Sequence, residues 1–199
     1  MTPDEFKKIL RERAACDIVP EYITSGDPGP VVTKEALEFV VEQTRIVFQI
    51  PSDASVKPIV VGSAKLGFSF TEKIKPEYKP RYRAYQPGVS DIDLALVSPL
   101  LYVKVWKDIA VYGSNQTKFP WRSQDLGDYM LHGWLRPDKF PTPSPPGCAN
   151  WFDLLSRLNR SDHFRHKRLR CGLYYSAHFL ELYQQRGIIE AKNAELSDL

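Results

Sequence analysis

The chain has little cysteine, no long apolar run and almost no imbalance of charge, and each shortage excludes something. Its three cysteines, Cys16, Cys148 and Cys171, show no metal-ligand spacing. They read as free thiols of a reducing compartment, and the expected location is the cytoplasm. No segment stays apolar for long enough to span a bilayer. Lys7, Lys8, Arg11 and Arg13 interrupt the N-terminal region where a signal core would lie. The expectation is a soluble protein with no membrane partner. Against 24 acidic residues stand 27 basic ones, a net charge of +3. That excess is too mild to imply a nucleic-acid partner by itself. Internal repeats are absent.

What is present suits one domain, 1–199, since 199 residues at 43% hydrophobic content supply a real core. Thr2-Pro3-Asp4-Glu5 reads as a capped helix start, with Phe6, Ile9 and Leu10 at helical spacing to about Ala15. A loop rich in proline and glycine follows at 25–30. Thr33 caps a second helix that carries Leu37, Val40, Val41 and Ile46 and ends near Ile50-Pro51. A first strand is predicted over Lys57–Val61, a short helix or turn over Ala64–Phe68, and a second strand over Ile92–Val97. Residues 69–89 show neither helix nor strand. Ser98-Pro99 starts a helix to about Tyr112, with a loop at 113–122. Another helix is predicted over Asp125–Leu135. A proline-rich connection spans 137–146, and Asn150 caps a helix carrying Trp151, Phe152, Leu154, Leu155 and Leu158. Lys167–Leu173 reads as a third strand with Leu169, Cys171 and Leu173 on one face. A helix over Ser176–Arg186 follows, and the polar tail from Glu190 is expected to fray. The fold class is α/β (α+β): a small mixed sheet with flanking helices. Residues 1–50 supply N-terminal helices, 57–97 the core that bears the motifs, and 98–199 a helical elaboration with one further strand.

Two motifs carry chemistry. Residues two apart on a strand point to the same side, so Asp91 and Asp93 project together while Ile92 faces the core. Paired carboxylates repel unless a cation lies between them, and a hard divalent ion such as Mg²⁺ is the natural partner. Gly62-Ser63 closes the apolar run Pro58-Ile59-Val60-Val61. A Gly-Ser turn leading into a helix offers backbone N–H groups to phosphate. Together these features point to metal-assisted chemistry on a nucleoside triphosphate.

The order of strand, Gly-Ser turn, short helix and Asp-x-Asp strand resembles the DNA polymerase beta-like nucleotidyltransferase superfamily. That resemblance implies a two-metal mechanism with Mg²⁺ or Mn²⁺. On it, Asp91 and Asp93 hold the metal, and Gly62 and Ser63 form the triphosphate turn. Lys65 neutralises phosphate charge, and Ser90 orients Asp91 or contacts phosphate. The implied activity moves a nucleoside monophosphate from an NTP or dNTP to a hydroxyl and releases pyrophosphate. The acceptor is left open among a nucleic-acid end, a protein side chain, a nucleotide and a small molecule. Stand-alone members occur in bacterial toxin–antitoxin and antiviral defence systems, where a protein partner is an added expectation.

The chain departs from the superfamily pattern in two places. The stretch between Gly67 and Ser90 is long. No acid stands where the third carboxylate is sought, and the predicted third strand carries Arg168 and Arg170 instead. If either arginine faces the aspartates, an ion pair could replace the metal, and the domain would then be a degenerate nucleotide-binding or assembly subunit. Otherwise Asp125, Asp128 or Asp138 supplies the ligand, or two carboxylates and water suffice.

Residues 69–89 interleave Lys73, Lys75, Lys79, Arg81 and Arg83 with Tyr78, Tyr82 and Tyr85. Basic groups that track phosphates beside stacking tyrosines suit a nucleic-acid-binding module, an alternative function. A partner surface and a solvated loop with local packing are the other readings. His163 and His166 lack a completing ligand set and read as a surface turn. His132 and His178 read as packing or surface residues, and Trp106, Trp121, Trp134 and Trp151 as core. Ser63 lacks the surroundings of a hydrolase nucleophile.

Overall fold

The computed structural model describes residues 1–72, 76, 78–116, 123–139, 144–165 and 167–197, with the backbone alone at 123–125. Lys73, Lys75, Trp121, His166 and the Asp125 side chain therefore lie outside the described residues. Helix α1 (Pro3–Glu12) is closed by a capping box: the Thr2 hydroxyl accepts from the Glu5 N–H, and the Glu5 carboxylate accepts from the Thr2 N–H. A short α2 (Ala15–Ile18) and one π-helical turn (Val19–Ile23) lead to α3 (Lys34–Phe48), capped by Thr33. Then come β1 (Lys57–Val61), α4 (Ser63–Leu66), β2 (Phe68–Ser69), β3 (Arg83–Ala84) and β4 (Asp91–Val97). After β4 follow α5 (Pro99–Ser114), capped by Ser98, and α6 (Ser123–Leu131). The chain ends with β5 (Trp134–Leu135), a 3-10 turn, α7 (Pro146–Arg160), β6 (Arg168–Tyr174) and α8 (Ala177–Ser197).

The main sheet has the order β1-β4-β6-β5. β4 pairs antiparallel with β1 and parallel with β6, and β5 pairs antiparallel with β6. The parallel pair needs a long crossover, which α5, α6, β5 and α7 provide. The period of two splits each strand between two cores. Ile92, Leu94 and Leu96 of β4 face one cluster with Val40, Phe48, Val105 and Trp151 from α3, α5 and α7. Ala95 and Val97 face the other, with Phe6, Leu10, Ile18, Leu180 and Ile188 from α1, α2 and α8. Full burial of a side chain such as Ile92 contributes about 1.5–3 kcal/mol, which fixes the register. On the α8 face, β4 thus reads Asp91, Asp93, Ala95, Val97. Its far end is roofed by apolar helix, and its near end carries carboxylates.

Several expectations change. Residues 69–89 contain strand after all, since Phe68–Ser69 pairs antiparallel with Arg83–Ala84. The helix expected over Asp125–Leu135 stops at Leu131, because Gly133 takes φ +61° and Trp134–Leu135 joins the edge of the sheet. α7 begins at Pro146 with no side-chain cap, so Asn150 lies inside it. The tail expected to fray from Glu190 is helical to Ser197, with Ile188, Ala191 and Glu195 buried. Of the tryptophans, Trp151 is core, Trp106 is exposed and Trp134 is half-buried.

Candidate active site

Where the roof of α8 leaves the near ends of β4 and β6, a cleft of about 900 Å³ opens. Gly62, Ser63, Ser90, Asp91 and Asp93 all line it. Register places Val61 opposite Asp93 on neighbouring strands, which carries the Gly62 turn to the second carboxylate. Gly62 has φ +68° and ψ −149°, a conformation open essentially to glycine alone. A Cβ on Gly62 would stand 3.1 Å from Asp93 Oδ2. The residue is therefore required twice, for the bend and for room beside the carboxylate. The Gly62 carbonyl accepts from the N–H groups of Lys65 and Leu66, which closes the turn. Ser90 closes a second turn, its hydroxyl accepting from the Gln86 N–H at 3.1 Å.

The parallel register sets Arg168 beside Asp91 and Arg170 beside Asp93. Arg168 Nε lies 3.2 Å from Asp91 Oδ1, and Arg170 Nη2 lies 3.0 Å from Asp91 Oδ2. Both carboxylate oxygens thus have a guanidinium partner. The arginine side chains are 62% and 53% exposed, whereas that of Asp91 is 16% exposed. Pairs this exposed contribute only about 0–1 kcal/mol each.

Three further cleft residues, Arg136, Arg186 and Glu190, were not singled out by sequence. Arg136 lies near Gly172 and is held in a bidentate pair by Asp138 at 2.9 and 2.7 Å. That pairing raises the Arg136 pKa, and the Asp93 charge adds to the effect. Tyr183, Arg186 and Glu190 of α8 also face the cleft, as does Trp134. Tyr85 has its phenol pKa raised by burial, then by the charges of Asp91 and Asp93. Extension of α8 past Arg186 would have revealed Glu190, one helical heptad beyond Tyr183.

Other predicted residues are placed elsewhere. Lys65 is a correction. Its side chain is buried at 6% exposure and donates to Ser25 O, Ser25 Oγ and Asp27 O, away from the cleft. Burial lowers its pKa despite the Asp27 charge nearby. The basic loop divides. Lys79 and Arg83 line the cleft, and Arg83 donates to the Thr71 and Pro80 carbonyls. Arg81 and Tyr82 turn to the opposite side, where both meet the buried carboxylate of Glu195. Tyr78 is exposed at 63%. Asp138 is committed to Arg136, and neither it nor Asp128 lines the cleft. His163 stacks at a tilt on Phe39.

Among the described residues, no group of three or more His, Cys, Asp or Glu side chains is placed to hold a metal ion. Mg²⁺ readily takes one or two carboxylates and completes its shell with waters and substrate phosphates. Asp91 and Asp93 could supply two carboxylates to one such ion. They do not by themselves supply the ligands of a two-ion cluster. No helix among the described residues is long and apolar enough to cross a membrane.

No family model, curated protein or solved structure matches the chain.

Proposed function

We propose that the cleft is the nucleoside-triphosphate site of a nucleotidyltransferase of the polymerase beta-like kind. The observation that carries the reading is the close approach of Asp93 to the Gly62 turn, both lining one cleft rich in arginine. The first N–H groups of such a turn have no intrahelical acceptor and suit phosphate oxygens. Lys79, Arg83 and Arg136 add positive charge on the surrounding walls. Asp91 and Asp93 would hold Mg²⁺, which when bound neutralises triphosphate charge and lowers the pKa of an oxygen it contacts. The residues' own task is to keep the two carboxylates side by side and to hold the donor against the turn. The reaction class is transfer of a nucleoside monophosphate to a hydroxyl, with pyrophosphate as the leaving group.

A second reading, nucleotide binding without transfer, is favoured by one observation: the pairing of Asp91 with Arg168 and Arg170. The exposure of both arginines argues against it, because pairs so weak yield to a divalent ion. A test begins with calorimetric titration of each NTP and dNTP with Mg²⁺ into wild-type protein and the Asp91→Ala/Asp93→Ala variant. Pyrophosphate release is then measured with RNA, DNA or cell lysate as acceptor. Binding with release, both lost in the variant, supports the transferase. Binding without release supports the second reading. RNA or DNA binding that survives in the variant and weakens steeply with salt points to the nucleic-acid module instead. A role in toxin–antitoxin or antiviral defence, with a partner protein, stays attached to this proposal as a setting in which stand-alone members of the resembled superfamily occur.

A further inference from the structure

The cleft cations fall into two kinds. Arg136 is fixed by its bidentate hold on Asp138, and Arg83 is tied to backbone carbonyls. Arg168 and Arg170 are different: both side chains are more than half exposed, each pairs with one oxygen of Asp91, and Arg168 adds a long 3.5 Å contact to the Val89 carbonyl. They stand on β6 at the two positions directly beside the aspartates, on the same face. A divalent ion on Asp91 and two guanidinium groups on the same two oxygens exclude one another by charge and by space. The guanidinium fork matches a phosphate as well as a carboxylate, so an arginine displaced from one is suited to the other.

We infer that Arg168 and Arg170 are exchangeable counter-ions: they neutralise Asp91 in the nucleotide-free cleft and pass to the donor's phosphate oxygens when a Mg²⁺–triphosphate arrives. The inference rests on the nucleotide reading above and adds a selection. A ligand that brings both a cation for Asp91 and phosphates for the arginines completes the exchange. A metal ion alone, or a nucleoside monophosphate alone, completes only half of it. The arginines therefore suppress metal binding without nucleotide and favour triphosphates over monophosphates.

The test uses the Arg168→Gln/Arg170→Gln variant, because both side chains are exposed and their loss leaves the core untouched. Melting temperature and circular dichroism establish that it folds. Arg168→Lys/Arg170→Lys, which keeps charge without the fork, carries the same measurements should the first variant fail. Mn²⁺ binding without nucleotide is followed by electron paramagnetic resonance. ATP, GTP, CTP, UTP and AMP are titrated calorimetrically with Mg²⁺. The double variant is expected to bind Mn²⁺ alone several-fold more tightly and the accepted triphosphate about tenfold more weakly, with AMP changed little. Arg186→Gln removes a cleft cation not paired with Asp91 and controls for a general change of potential; its Mn²⁺ affinity stays within about twofold. Opposite signs in the two measurements support the exchange. A double variant that binds triphosphate as wild type does, or that gains no Mn²⁺ affinity beyond the Arg186→Gln control, overturns the inference alone. Wild-type protein that binds none of the four triphosphates overturns the nucleotide reading and this inference with it.

Discussion

Replacement of Gly62 by alanine tests whether the turn and the carboxylate were built for each other. At φ +68° and ψ −149°, any residue with a Cβ is strained by about 1–3 kcal/mol. The added methyl would also press on Asp93 Oδ2 at 3.1 Å, closer than ordinary van der Waals contact. A short side chain on a paired strand relieves that only by turning its carboxylate. The combined cost is about 2–3 kcal/mol, which for a domain of this length lowers the melting temperature by roughly 5–10 °C. Gly26→Ala is the matched control, since nothing lies within 4 Å of a Cβ there and its φ is not positive. It is expected to melt within a few degrees of wild type, on either side. Melting curves by circular dichroism compare the three proteins directly. If Gly62→Ala melts with wild type and Gly26→Ala, the backbone strain and the Asp93 contact are both wrong as described.

Other outcomes follow from the same geometry. Glu195→Ala removes a buried carboxylate that accepts from Arg11, Arg81 and Tyr82, and is expected to cost about 1–3 kcal/mol by urea denaturation, discounted for the part-exposed arginines. Lys65→Met strips the partner from Ser25 and Asp27 and should destabilise the protein by a similar amount, while triphosphate affinity in the folded variant stays within about twofold of wild type. In the folded protein, iodoacetamide should label Cys16 alone, and in urea all three thiols, as mass spectrometry reads out. Burial pushes the Cys148 thiol up to about 12, and moves those of Cys171 and the Tyr174 phenol still further up. The folded state therefore favours neutral thiol and phenol. Their contribution is fully present below the unfolded values of 9.0 and 10.0 and is lost as pH rises through the window above them. The urea midpoint at pH 10, with reductant present, is expected to fall below that at pH 7.5.

The parts legible in the sequence were those governed by local chemistry. Thr2, Thr33 and Ser98 announced their helices because a capping hydroxyl acts within three residues. β1 was read at its true bounds and β4 within one residue, since their apolar runs and Asp-x-Asp alternation report burial directly. The Gly62 turn and the aspartates line one cleft, as their order along the strands suggests. What escaped depends on distant partners. Trp134–Leu135 looks helical until β6 offers it an edge. The tail beyond Glu190 looks too polar to hold, and it holds because Glu195 gathers donors from α1 and from the loop before β3. Lys65 has the right position in sequence for phosphate, yet the Ser25–Asp27 loop captures it. Arg168 and Arg170 were recognised as basic where an acid was sought, but their exposure, which decides what their pairing with Asp91 means, appears only in three dimensions.

The most direct measurement of the central claim is pyrophosphate release from each NTP and dNTP, with Mg²⁺ or Mn²⁺ and RNA, DNA or lysate as acceptor. The account predicts release from at least one donor by wild-type protein and none by the Asp91→Ala/Asp93→Ala variant. Folded wild-type protein that releases pyrophosphate under none of these conditions, or release that persists undiminished in the variant, would contradict it.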